Sequence, residues 1–264
     1  MADAPTFATL RVEVDGPIGQ LTLAQPEKLN PLGTVPLREI ALAARWFDTT
    51  TAHVVVVTGE GRAFSSGFDL REFAGGDRDD PTAPSSREQA DLGRLMAEAM
   101  DRMSALTIAA IKGPCVGGGV VLAGACDLRI AADDTVFSIP EVDLGIPLAW
   151  GGIPRLVREI GPAATRELVL TCRPFDADEA RSLGFVNRVV PRSELESSVD
   201  ELANQLARKA PSVVRATKRQ VAESLEDMAS TVGAWADADL LGAAMRDPDA
   251  RAAARAYLAS RARR

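Results

Sequence analysis

The sequence predicts an α/β fold, and three observations carry that expectation. Apolar, β-branched runs alternate with segments of helical spacing through the first two thirds of the chain. Some of these runs, Val54 to Val57 above all, are apolar at consecutive positions, which is the pattern of a strand covered on both faces. From about residue 192 the strand signals stop and helix follows helix. The expected organisation is therefore a mixed core over residues 1–191 and a helical region over 192–264, without a flexible linker between them.

Taken in order, strands are expected at FATLRVEV (7–14), GQLTLA (19–24), HVVVVTG (53–59), TIAAIKG (107–113) and CDLRIAAD (126–133). The stretch AGGDRDDPTAPSSREQ (74–89) is dense in Gly, Pro, Ser and charge and reads as a loop. A loop of that length inside a compact domain is either a lid beside a site or disordered. In the last third, Ser193 and Ser212 are candidate helix caps, with Pro191, Pro211 and Pro248 as punctuation. Helices with no sheet to cover pack on the core or on another subunit.

The 264 residues, 46% hydrophobic and 25% charged, suffice for one substantial core. The opening MADAPTFATL lacks a basic start, an apolar run and a cleavage site, and no segment stays apolar for the ~20 residues of a spanning helix, so a cytoplasmic protein is expected. Cys115, Cys126 and Cys172 form neither an even set nor a CxxC pair and read as reduced, buried thiols. A formal charge of −7 argues against a phosphate-tracking nucleic-acid surface. After Asp249 the tail holds Arg251, Arg255, Arg261, Arg263 and Arg264 with no acid among them. Such a cluster either attracts a polyanion or complements a helix C-terminus, and the second is the better supported.

The chemistry is concentrated in two glycine-containing segments. In GPCVGGGVVLAGACDL (113–128) a helical run starts inside three consecutive glycines, Gly117 to Gly119, where unpaired backbone N–H groups can meet an oxygen anion. Close strand-to-helix packing alone also favours glycine there. A second segment, GEGRAFSSGFDL (59–70), brings Ser65, Ser66 and Gly67 to a turn before Phe68. Two such amides converging on one point make an oxyanion hole, worth about 3 kcal/mol per donor to charge developing on a carbonyl oxygen. Other chemistries fit poorly. A serine hydrolase using Ser65 or Ser66 with His53 and Asp69 lacks the GxSxG elbow, a dinucleotide fingerprint fails at Leu122, and a lone histidine with scattered cysteines makes no usual metal set.

The segments GRAFSSGFDL, IAAIKGPCVGGGVVLAGACDLRIAADDTVFSIPEVDLG and FDADEARSLGFVNRVVP, in this order, resemble the crotonase, or enoyl-CoA hydratase/isomerase, superfamily. The resemblance runs from PEKLNPL (26–32) to DPDARAAARAYLASR at the end of the chain. It implies a crotonase-like spiral of ββα units followed by a C-terminal helical trimerisation region, assembled as a homotrimer or a dimer of trimers. It implies an acyl-CoA thioester substrate, no separate cofactor because coenzyme A is part of that substrate, and no nucleic-acid or membrane partner. The oxyanion donors implied are the N–H groups of Phe68 and Gly118. Coenzyme A contacts are implied for Lys28, Ala63, Ser65, Asp69 and Leu70, Lys28 being equally readable as a solvated loop lysine.

Two departures from the family pattern bear on the reaction. Hydratases carry a glutamate in GGGxE and a second in the later PE motif; here the first is Val121 and the second is Glu141. Valine can neither hold nor deprotonate water, which removes half of the hydration apparatus. A single carboxylate suffices for an isomerase that takes a proton from the α carbon and returns it at the γ carbon. Relatives commonly read GxxPGAGG where this chain reads GIPLAWGG, so Trp150 joins Val121 as a candidate wall of the acyl pocket, core packing being an equally simple alternative. The expectation is an enoyl-CoA isomerase acting through Glu141. The alternatives are a hydratase with a non-standard second acid such as Asp143, and a non-catalytic acyl-CoA-binding subunit.

Overall fold

The computed structural model describes residues 4–69 and 86–261. The Val54–Gly59 run is a central strand, β3, of a six-stranded sheet. Its neighbours are β1 (Leu10–Asp15), β2 (Ile18–Leu23), β4 (Leu106–Ile111), β6 (Leu128–Ala132) and β9 (Arg188–Val190), in the order β1-β2-β3-β4-β6-β9. Only β1 and β2 pair antiparallel; the other four ladders are parallel. A second sheet, β5-β7-β8, is built from β5 (Pro114–Val116), β7 (Val136–Ser138) and β8 (Phe175–Asp176). The pairs β4–β5 and β6–β7 each send their first strand to the larger sheet and their second to the smaller, and each pair is followed by a helix. This is the spiral of ββα units that the sequence motifs imply.

Strand β3 shows why a run of four valines belongs here. Val55 and Val57 point into the main core with Leu21, Ile40, Phe47 and Ile111, while Val54 and Val56 point to the other face. That second face is covered by α6 (Leu195–Ala207) through Leu195, Val199, Leu202 and Ala203. The main core is closed by α1 (Thr34–Phe47), α2 (Ser86–Asp101), α3 (Gly118–Gly124) and α4 (Gly152–Thr171). The remaining helices are α5 (Ala177–Leu183), α7 (Pro211–Met228), α8 (Asp237–Arg246) and α9 (Pro248–Arg261).

Several sequence expectations change on contact with the fold. Residues 86–89, read as the end of a loop, are the first turn of α2, because Met96, Ala97 and Met100 further along that helix are anchored in the core. The rest of the 74–89 stretch, up to residue 85, lies outside the described residues, as do Arg263 and Arg264. Ser193 and Ser212 do not cap helices: Ser193 sits inside a 3₁₀ turn (Arg192–Glu194), and Ser212 follows Pro211, which starts α7 behind Ala210. Proline at the first helical position has a preset φ and no N–H to satisfy, so no side-chain cap is needed. Strands β5, β7, β8 and β9, two or three residues each, are additions that the sequence pattern does not announce.

Asp127, the lone acid after the glycine helix, is structural. It accepts hydrogen bonds from the Thr107 N–H and hydroxyl and pairs with Lys218 of α7 at 2.7 Å, pinning that helix to the N-terminal ends of β4 and β6. Beside this pin runs a cleft of about 1220 Å³ lined on one side by Val213, Val214 and Val221 of α7.

Candidate active site

The two glycine-containing segments meet. Residues 64–66 run alongside β5, with Val116 N–H donating to Ser65 O at 3.0 Å and Ser65 N–H to Pro114 O at 3.2 Å. The next residue, Gly67, has φ +83, and a Cβ there would lie 2.6 Å from Val116 O and 3.6 Å from Gly118 N. Only glycine lets the turn that carries Phe68 approach the start of α3 this closely. Gly118 occupies the first helical position, where a backbone N–H has no intrahelical acceptor.

Asn30 braces the Phe68 turn from behind, a role that no motif in the sequence assigns to it. Its side-chain amide donates to Glu60 O and Ala63 O at 3.0 Å and to Phe64 O at 3.3 Å, and its Oδ1 accepts from Gln25 N–H. The Ser65 hydroxyl donates to Asn30 O at 2.7 Å and accepts from Gly67 N–H at 3.1 Å. Ala63 and Ser65 are fully enclosed, so they shape the turn. Lys28 is exposed in the 3₁₀ turn Pro26–Lys28, next to Ser66, whose N–H donates to Leu29 O. Asp69 is half-buried at the end of the segment, and Leu70 lies outside the described residues.

Glu141 reaches the same place from β7. Because β7 pairs with β5, Gly117 N–H donates to Ser138 O at 2.8 Å, and the chain then turns so that Glu141 lies against Gly117. A Cβ on Gly117 would collide with Glu141 Oε1. The carboxylate is buried, and its Oε2 has no hydrogen-bond partner among the described residues. Burial pushes its pKa up to about 7. Asp143, two residues on, is exposed.

The opposite wall is apolar. The Trp150 indole is wedged between Gly93 of α2 and Gly118, each of which lacks a side chain that would overlap the ring. It meets the Phe68 ring edge-on, centroids 6.0 Å apart. Trp150 has φ +64, a conformation that costs a non-glycine residue roughly 1–2 kcal/mol. Val121 is 3% exposed and lies 3.0 Å from where a Cβ on Gly152 would be, so it faces the 148–152 turn. The two glycine turns and one buried acid thus lie beside an aromatic and aliphatic wall. His53, by contrast, precedes β3 while Ser65 and Ser66 follow its other end, a span of roughly 20 Å that removes the serine-hydrolase arrangement.

Comparison with known proteins shows the family. The family model for enoyl-CoA hydratase/isomerase matches residues 13–263. The chain belongs to the enoyl-CoA hydratase/isomerase family. It is 36% identical to a probable enoyl-CoA hydratase of Mycobacterium tuberculosis, with 85% of each chain covered. It is 32% identical to a peroxisomal dienoyl-CoA isomerase of Arabidopsis thaliana, with 91% of each covered. An enoyl-CoA hydratase structure from Geobacillus kaustophilus is 35% identical and superposes with a TM-score of 0.76 over 83% of each chain. This enoyl-CoA hydratase/isomerase family member is accordingly an enzyme whose relatives include both activities. Among the described residues no helix is long and apolar enough to cross a membrane.

Proposed function

We propose that this family member is an enoyl-CoA isomerase in which Glu141 is the only proton carrier. The observation that carries the reading is the state of Glu141: buried, without a charged partner among the described residues, with a pKa of about 7, and packed against the glycine turn that leads into Gly118. In a 3-enoyl thioester Glu141 takes a proton from the α carbon, and the electron pair of that C–H bond forms a dienolate. The negative charge on the thioester oxygen is stabilised by the Phe68 and Gly118 N–H groups. The proton then passes from Glu141 to the γ carbon, which leaves the double bond in conjugation with the carbonyl. A group with a pKa near the working pH alternates most readily between base and acid.

Val121 and Trp150 form the acyl wall, and Lys28 with the backbone of residues 63–69 is the coenzyme A side. No separate cofactor is called for, since coenzyme A arrives with the substrate. The exposed apolar residues Val213, Val221 and Met228 on α7, beside the cleft, support assembly into a homotrimer or a dimer of trimers. A cytoplasmic location suits an acyl-CoA enzyme of this kind.

A hydratase is the second reading, favoured by the names of several relatives. The exposure of Asp143 counts against it, because that carboxylate faces solvent rather than the buried acid it would have to assist. The test is to incubate a saturated acyl-CoA, a 2-enoyl-CoA and a 3-enoyl-CoA, each separately, with enzyme in deuterated water. Isomerisation predicts deuterium entering at the α carbon of the saturated acyl-CoA, and a conjugated product of the 3-enoyl-CoA that carries deuterium at its γ carbon, all abolished by Glu141→Gln. Water addition to the 2-enoyl-CoA without isomerisation of the 3-enoyl-CoA would establish the hydratase, and neither reaction would leave a binding subunit.

A further inference from the structure

Trp150 and Gly151 form a turn with two consecutive left-handed residues, φ +64 and φ +68. Such a turn persists only when its surroundings fix it. From one side Arg155 donates to Trp150 O at 3.0 Å and to Gly151 O at 3.1 Å. From the other side Gly151 N–H donates to Asp237 Oδ2 at 2.7 Å. Asp237 opens α8, 86 residues further along the chain, and an acid in a first helical turn is ordinarily explained by the helix dipole. Here the carboxylate is turned onto the Gly151 amide instead, and Ala234, just before it, packs 3.3 Å from the position of a Cβ on Gly151.

Resting on the isomerase reading above, we propose that Asp237 is a positioning residue: by holding the Gly151 amide it keeps the Trp150 ring seated against Gly118 and so sets the acyl side of the oxyanion turn. The helical region thereby takes part in the chemistry of its own chain. Release of the Gly151 amide lets the 150–151 peptide rotate toward relaxed φ values, and the ring leaves the slot between Gly93 and Gly118. Burial raises the Asp237 pKa, opposed by the Gly151 hydrogen bond and by the charges of Arg155 and Arg94.

The experiment uses the full chain with Trp46→Phe and Trp235→Phe, which leaves Trp150 as the single fluorophore among the three tryptophans. Asp237→Ala, Asp237→Asn and Asp237→Glu are then compared. Asn keeps an acceptor at the same reach without the charge, whereas Glu keeps the charge and displaces the acceptor by one methylene. The expected result is a red-shifted, more quenchable Trp150 emission in the Ala and Glu variants. In those variants kcat for α-proton exchange falls on the order of tenfold with KM changed less, and the Asn variant recovers both. Unchanged emission and kcat in all three overturn the proposal, as does retention by Glu with loss by Asn, which would make the carboxylate an electrostatic group. If Ala fails to fold, the Asn and Glu pair carries the same decision. If the wild type exchanges no α proton, the isomerase reading fails while the emission still decides whether Asp237 holds the ring.

Discussion

Replacing Glu141 with Gln should separate the catalytic role of this acid from its cost to the fold. A carboxyl whose pKa rises from the ordinary 4.5 to about 7 is held protonated by the native state at pH values where the unfolded chain has already released the proton. Below about pH 4.5 both states carry the proton and the group is neutral in the balance. Between 4.5 and 7 the folded protein binds more protons than the unfolded one, so stability falls as pH rises and levels off above about 7. At 1.36 kcal/mol per pKa unit the loss is about 3 kcal/mol. The glutamine side chain of the variant cannot titrate, so the pH-dependent part of this loss disappears, whatever fixed cost its amide carries in the same place. Urea unfolding of the wild type and of Glu141→Gln at half-unit steps from pH 4.5 to 9 reads the effect. The difference between the two should shift in favour of the variant by about 3 kcal/mol across that range, while α-proton exchange is lost at every pH. Parallel curves would refute the claim that Glu141 is buried without a compensating partner, and with it the reason for its readiness to shuttle protons.

Three further outcomes are expected. The kcat/KM of the wild type for α-proton exchange should rise about tenfold per pH unit and level off above about 7, as Glu141 becomes the base; a limb near pH 4.5 would contradict this. Trp150→Ala empties the slot between Gly93 and Gly118 and should cost roughly 3–5 kcal/mol in urea unfolding. In the folded fraction it should move the kcat/KM preference toward bulkier acyl groups by about tenfold. Asn30→Ala strips the amide that ties down three carbonyls of the Phe68 turn and should cost about 1–3 kcal/mol; its kcat should fall more than its KM changes, measured by the same exchange assay.

The legibility of this chain follows the range of the interactions. The long strands β1 to β4 and β6 are readable because their apolar runs repeat over five or six residues, and Val54 to Val57 declare by themselves that both faces are buried. Strands β5, β7, β8 and β9 are not, since two or three residues carry no period and exist as strands only once a partner lies alongside. The Glu141 and Gly118 segments are legible as motifs, but nothing local says that β5 pairs with β7 and brings that carboxylate against Gly117. Asn30 stands in the PEKLNPL motif without a role, because the three carbonyls it holds lie 30 to 34 residues away. Ser193 and Ser212 mislead because a cap is decided by the dihedral angles at the helix entrance, which neighbouring prolines have already set.

By itself, then, the sequence determined the alternation of strands and helices, the bare backbone at two turns, and the presence of one acid where hydratases keep two. The first two are properties of residue type and spacing, and the third is what the resemblance to the family implies. The tertiary structure alone decided that the two turns approach within reach of one another, that Glu141 is buried and Asp143 exposed, and that the Trp150 ring lies on Gly118. Each of these depends on pairing between segments far apart in the chain, and burial, which sets the charge state of Glu141, has no local signature at all.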